Sequence, residues 1–196
     1  PESGWPGLSA LRETVSSPAE SLILVDENDQ EVGFASKADC HRGEGTLHRA
    51  FSVFLFNERD ELLLQQRSAE KPLWPMYWSN SCCSHPRAGE ERGEAVVRRL
   101  NDELHTSSAP EFVYKFVYQA PFGDLGSEHE LCHVFLGRVT EDPAPNENEI
   151  AATRYLSAFE LEAEFASASA QFTPWFRMEW ERLNTDYADT LARYTG

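Results

Sequence analysis

Short apolar runs alternate with turn-forming clusters along most of this chain. The run SLILVD at 21–26 is closed by turn residues, and EVGFASK at 31–37 follows it, which predicts a strand pair. AFSVFLF at 50–56 is the most apolar run. NERD at 57–60 breaks it and ELLLQQRS at 61–68 returns, which predicts a hairpin. Residues 40–49 (CHRGEGTLHR) are polar and are expected to form a loop, and 71–85 (KPLWPMYWSNSCCSH) an irregular aromatic segment.

The period then changes. In 90–104 (EERGEAVVRRLNDEL), Ala95, Val96, Leu100 and Leu104 recur at steps of three and four, predicting a helix with one apolar face. EFVYKFVYQAPF at 111–122 and ELCHVFLGRV at 130–139 read as strands, and 141–149 as a charged loop. RYLS is expected to be a short strand and AFELEAEF a short helix. TPWFRMEWERLNTDYADTLARY is expected to be one C-terminal amphipathic helix, with Pro174 in its first turn. Strands, one helix, strands, then helices predict an α+β fold, a mixed β-sheet core flanked by helices. The Pro-, Ser- and Gly-rich residues 1–20 read as a flexible N-terminal arm, and residues 21–196 as one domain.

Composition narrows the partners. The 196 residues carry 33 acids and 17 bases, a net charge of −16. That balance argues against nucleic acid or an anionic membrane as partner, since either needs a basic face. No apolar run approaches the ~20 residues of a membrane span, and no charged-then-apolar leader is visible. A cytoplasmic monomer is the expectation. Four cysteines are too few for a disulfide scaffold, and Cys82 adjoins Cys83.

Three pieces carry candidate chemistry: His41-x6-His48, Cys83-Ser84-His85-Pro86 and Glu128-His129-Glu130. Extended chain puts alternate residues on one face, so Cys83 and His85 share a side, as do Glu128 and Glu130. If the pieces converge, three imidazoles and two carboxylates surround one point. Such a set suits Zn²⁺ or Mn²⁺ and tolerates Mg²⁺. Around the predicted helix runs a degenerate form of the Nudix pattern G-x5-E-x7-R-E-U-x-E-E-x-G-U, where U is apolar. Here it reads Ser84-x5-Glu90-x7-Arg98-Arg99-Leu100-Asn101-Asp102-Glu103-Leu104-His105. Glu90, Asp102 and Glu103 remain of its acids, with Arg98 as a structural partner. Lys37, Arg67, Lys71 and Arg87 lie near these motifs in a chain otherwise poor in bases. A diphosphate needs such cations beside its metal.

HRGEGTLHRAFSVFLF, KPLWPMYWSNSCCSHP, RRLNDEL, FVYQAPFGDLGSEHELCHVF and FTPW together resemble type 1 isopentenyl-diphosphate isomerase, a Nudix-like family, from about residue 21 to about 180. The resemblance implies a single Nudix-like domain. It also implies that His41, His48, His85, Glu128 and Glu130 hold a divalent metal (Mn²⁺, Zn²⁺ or Mg²⁺) and that Cys83 and Glu130 handle protons. By the same resemblance Tyr118 stands near the catalytic carboxylate and Trp175 faces the substrate's hydrocarbon. Glu103 is implied as the ligand of a Mg²⁺ that arrives with the diphosphate, and Lys37, Arg67 and Lys71 as its basic contacts. Trp74 and Trp78 fit either a pocket wall or the core. The implied reaction moves a double bond and needs no nicotinamide or flavin, and no dinucleotide fingerprint is present. Two other readings fit the residues: a Nudix hydrolase of a diphosphate, and a non-catalytic metal-binding or redox-sensing protein using Cys82 and Cys83.

Overall fold

Ser52 is the lone polar residue in the Ala50–Phe56 run, and the fold explains the run: this strand lies between two layers of helices. The computed structural model describes residues 14–167 and 171–196. Among these, nine strands form one sheet: β1 (Ser21–Val25), β2 (Glu31–Ser36), β3 (His48–Phe56), β4 (Leu62–Arg67), β5 (Trp78–Ser79), β6 (Cys82–Ser84), β7 (Glu111–Pro121), β8 (Ser127–Arg138) and β9 (Ile150–Leu156). The helices are α1 (Lys37–Cys40), α2 (Arg92–Leu104), α3 (Ala158–Ser167), α4 (Pro174–Asp186) and α5 (Ala188–Thr195). No described helix is long and apolar enough to cross a membrane.

β3 pairs in parallel with β8 along its whole length, His48 opposite Glu130 and Phe56 opposite Arg138. It pairs antiparallel with β1, β4 and β6, and β7 and β9 complete the mixed sheet on β8 and β4. The alternation of side chains along β3 sorts the core. Phe51, Val53 and Leu55 pack with Ala95, Val96, Leu100 and Leu104 of α2, the apolar face expected from the sequence. Phe54 and Phe56 pack on the opposite side with Trp175, Phe176, Trp180 and Leu183 of α4. Truncating a fully buried aromatic such as Phe54 to Ala costs about 3–5 kcal/mol. Cys82 falls on the α2 side and Cys83 on the α4 side. The sheet therefore separates the adjacent thiols, which weakens the thiol-pair reading.

Several local expectations are corrected. His48 and Arg49 belong to β3 rather than to the preceding loop, because the pairing with β8 starts at His48. Residues 37–40 form α1, capped by Ser36 Oγ, which accepts from Asp39 N–H. The expected short strand runs from Ile150, held by β4. The C-terminal amphipathic segment is two helices that break at Tyr187, whose ring stacks on Tyr114 with centroids 4.7 Å apart. The expected arm is tied down over its described part. Val15 C=O accepts from Arg99 Nη1 at 2.9 Å, Ser16 Oγ accepts from Lys37 Nζ at 2.6 Å, and Glu20 accepts from Arg87 at 2.7 Å. Residues 1–13 of the expected arm lie outside the described residues.

Candidate active site and metal centre

The ends of three strands and one helix meet at one edge of the sheet. His41 follows α1, His48 opens β3, His85 follows β6, and Glu128 and Glu130 lie two apart on β8. The register that sets His48 opposite Glu130 brings the middle of the cluster together. The potential ligand atoms of all five side chains lie within 4.8 Å of one another. His41 Nε2 stands 2.7 Å from Glu128, and Glu130 Oε1 stands 2.9 Å from His85 Nε2 and 3.7 Å from His48 Nε2. The three rings touch, with centroids 4.9–5.4 Å apart.

Two rings are aimed by their other nitrogen. His41 Nδ1 donates to Lys37 C=O at 2.6 Å, and His48 Nδ1 to Thr46 C=O at 2.7 Å. That tautomer leaves each Nε2 lone pair directed inward, as metal-bound imidazoles require. Gly126 makes the approach possible. Its φ is +149°, and a Cβ there would stand 2.3 Å from His41 C=O, the carbonyl that accepts from Ser127 N–H.

These residues fit a divalent cation. His48 Nε2 is buried and makes no hydrogen bond, a costly state that a cation would relieve. Three imidazole nitrogens with two carboxylates suit a borderline transition metal at least as well as Mg²⁺. Electrostatics agree. Burial pushes the Glu128 and Glu130 carboxyls up, but the neighbouring histidines outweigh it and hold both below the ordinary carboxylate range. Burial, helped by His48, drives His85 well below its usual value and keeps it neutral.

Glu130 has a second set of partners. Its Oε2 accepts from Tyr118 O–H at 2.6 Å. Burial, then the charge of Glu130, raises the phenol well above its usual value, so it stays a donor. Trp175 lies against Tyr118, with centroids 6.3 Å apart, and against Trp74 at 5.2 Å. Its indole N–H donates to Ser79 Oγ at 3.1 Å. Cys83 projects to this same face, donating to Asn80 Oδ1 at 2.9 Å, with Ser52 Oγ 3.4 Å away. Burial pushes its thiol up to about 12, and the Glu179 carboxyl adds to the rise. Trp74 joins the aromatic wall, whereas Trp78 lies under Arg154.

The expected diphosphate residues make two sets of contacts. Lys37 and Lys71 share a charged cluster with Arg99, Glu103 and Glu149. Lys71 pairs with Glu149, and Arg99 with both Glu103 and Glu149. Burial, then the Lys71 and Arg99 charges, lowers Lys37 to about 8. Arg67 donates to the Leu73 and Trp74 carbonyls, with its guanidinium 5.3 Å from the Trp175 ring centre. Sequence reasoning did not select Arg99, Glu149, Asn80, Ser52 or Glu179. Glu179 had one signal, an acid inside the 175/176/180/183 apolar stripe. In the Nudix-like segment Glu90 is held by two hydrogen bonds from Arg98, at 2.6 and 2.9 Å.

Comparison with known proteins bears on the family and the fold. The model of the NUDIX domain matches residues 46–176. The chain is 43% identical over 176 residues to "Isopentenyl-diphosphate Delta-isomerase 1" of Photorhabdus laumondii, covering 88% of this chain and 99% of that protein. It is 41% identical over 160 residues to "Isopentenyl-diphosphate Delta-isomerase" of Halorhodospira halophila, covering 81% and 91%. In fold it is similar to a crystal structure from Deinococcus radiodurans, with a TM-score of 0.65, 24% identity and coverage of 90% of this chain and 100% of that one. It is also similar to a MutT protein from Methanosarcina mazei, with a TM-score of 0.60, 19% identity and coverage of 72% and 95%.

Proposed function

The chain belongs to the Nudix family and, within it, to the isopentenyl-diphosphate Delta-isomerases, and on that premise we propose that Cys83 and Glu130 are its two proton-handling residues. The enzyme converts isopentenyl diphosphate into dimethylallyl diphosphate. A proton adds to the terminal methylene carbon, which leaves a tertiary cation, and a proton leaves the carbon on the other side. One proton enters and one departs, so an acid and a base must flank a five-carbon chain. The pocket must also exclude water, which would capture the cation.

One observation supports the reading most. Glu130 divides its oxygens, Oε1 to the His48/His85 side and Oε2 to Tyr118. His41, His48, His85, Glu128 and Glu130 would hold the metal, whose charge polarises the Glu130 carboxyl when bound. Tyr118 holds Glu130 in place from the pocket side. Cys83 lies on the sheet face that α4 covers, and Trp175 closes that face with an indole ring suited to a cationic carbon. Such a contact contributes about 0.5–2 kcal/mol. Lys37, Lys71 and Arg99 gather where the diphosphate would bind, with Glu103 as ligand for a Mg²⁺ that accompanies it. Arg67, whose guanidinium lies 5.3 Å from the Trp175 ring centre, is the remaining basic residue for that end. The binding energy of that end orients the alkene between Cys83 and Glu130.

Proton NMR of isopentenyl diphosphate with the metal-loaded protein in D₂O tests this. Dimethylallyl methyl signals carrying deuterium, absent with Cys83→Ala, are expected. An unchanged substrate spectrum, or released phosphate, overturns it.

A further inference from the structure

Helix α4 carries a carboxyl where its buried face is otherwise apolar. Trp175, Phe176, Trp180 and Leu183 face the sheet, and Glu179 stands among them fully buried. Burial pushes this carboxyl up to about 8 against hydrogen bonds from Ser52 and Cys132. The groups facing it are Ser52 from β3, Cys83 from β6, and Cys132 and Glu130 from β8, with no cation among them. Tyr114 of β7 donates to the Glu179 main-chain carbonyl. A leucine would fill the place without the desolvation cost of an acid.

What Glu179 touches leads to Cys83. Its Oε1 accepts from Cys132 Sγ at 3.4 Å, and Cys132 Sγ lies 3.4 Å from Ser52 Oγ. Ser52 Oγ lies 3.4 Å from Cys83 Sγ, and these two residues are direct partners across β3 and β6. Counting donors gives the chain a direction. Cys83 spends its S–H on Asn80 Oδ1. The Cys132 S–H is shared between Glu179 Oε1 and Ser52 Oγ. Two acceptors then compete for the single Ser52 proton: an ionised Glu179 carboxylate draws it, whereas a neutral Glu179 carboxyl leaves it for Cys83 Sγ.

We propose that Glu179 is a positioning residue for the isomerisation: through Cys132 and Ser52 it keeps the Ser52 hydroxyl donating to Cys83 Sγ and so fixes the thiol beneath the substrate. The proposal rests on the assignment of Cys83 to proton handling. Held between the Ser52 hydroxyl and the Asn80 amide oxygen, the sulfur has one orientation, with its proton aimed at Asn80.

The test is steady-state kinetics and iodoacetamide labelling of the metal-loaded enzyme. Cys40, Cys82 and Cys132 are buried, so labelling reports Cys83. Glu179→Leu and Ser52→Ala are each expected to lower kcat about tenfold, the effect of one lost hydrogen bond, with KM within about twofold. Both slow labelling of Cys83, and the double variant is no worse than either single one, because one chain is cut twice. Glu179→Gln, neutral and of the same length, restores most of kcat. Glu179→Asp, too short to reach Cys132, does not, and it stands in if Glu179→Leu fails to fold. Wild-type kcat and labelling rate in the folded Leu or Asp variant overturn the proposal, as do losses that multiply in the double variant. A wild-type enzyme that does not isomerise the substrate overturns the functional reading instead, while the labelling rates still decide whether Glu179 acts on Cys83.

Discussion

Tyr118 O–H donates to Glu130 Oε2 at 2.6 Å, across a register pair of β7 and β8. The phenol reaches the one oxygen of Glu130 that the histidines leave free. Tyr118→Phe keeps the ring against Trp175 and removes only this donor. Hydrogen bonds to charged groups contribute about 1.5–3 kcal/mol. The expected result is a kcat lower by about 10- to 100-fold with KM nearly unchanged, read by steady-state kinetics. Loss in KM alone would assign Tyr118 to binding.

Metal removal is expected to abolish turnover and lower thermal stability together, because the cation binds only the folded cluster. Titrating Mn²⁺, Zn²⁺ and Mg²⁺ into chelated protein, followed by melting temperature, ranks the ions. Affinity should fall as pH falls, since imidazoles must be neutral to bind. Burial lowers the His41 value, but the Glu128 carboxylate outweighs it and holds the ring above its usual value, so protons compete for that ligand as pH falls. His48→Ala should abolish the metal-induced shift in melting temperature.

Gly126→Ala is expected to damage the metal site from outside it. The added methyl meets His41 C=O, so the α1 end or the start of β8 must move. Displacing one oriented ligand should weaken metal affinity about 10- to 100-fold. Isothermal titration of the chelated variant checks this, and wild-type affinity would mean that the loop yields freely.

Glu179 gives stability a pH dependence of unusual sign. Its folded value is raised to about 8 from an ordinary 4.5, so its contribution is fully present below pH ~4.5 and is lost as pH rises towards 8. Between about pH 5 and 8, the wild type should lose about 1.4 kcal/mol per pH unit relative to Glu179→Gln. Urea unfolding of both proteins at several pH values measures the difference. Parallel curves would mean that Glu179 is ionised in the fold.

Local and periodic features were legible in the sequence. The β3/β4 hairpin, the apolar face of α2 and the α+β order follow from residue period and turn chemistry, which act over a few residues. The placing of Glu128 and Glu130 on one face follows from strand geometry, whereas the grouping of both with His41, His48 and His85 was implied by the family resemblance. Register and strand order were decided by tertiary structure. Nothing local says that β3 runs parallel to β8 with His48 opposite Glu130, yet that pairing assembles the cluster. The expected single C-terminal helix broke because Tyr187 stacks on a strand far away in sequence. The loop carbonyls of Leu73 and Trp74 that accept from Arg67 are likewise set by the tertiary path of the chain. Glu179 stands out in the sequence only as an acid inside an apolar stripe, and its contact with Cys132 of β8 comes from tertiary packing. Sequence fixes which groups are available, since each residue carries its own chemistry. Long-range packing fixes which of them meet, because burial and hydrogen-bond partners come from chain segments that sequence distance does not relate.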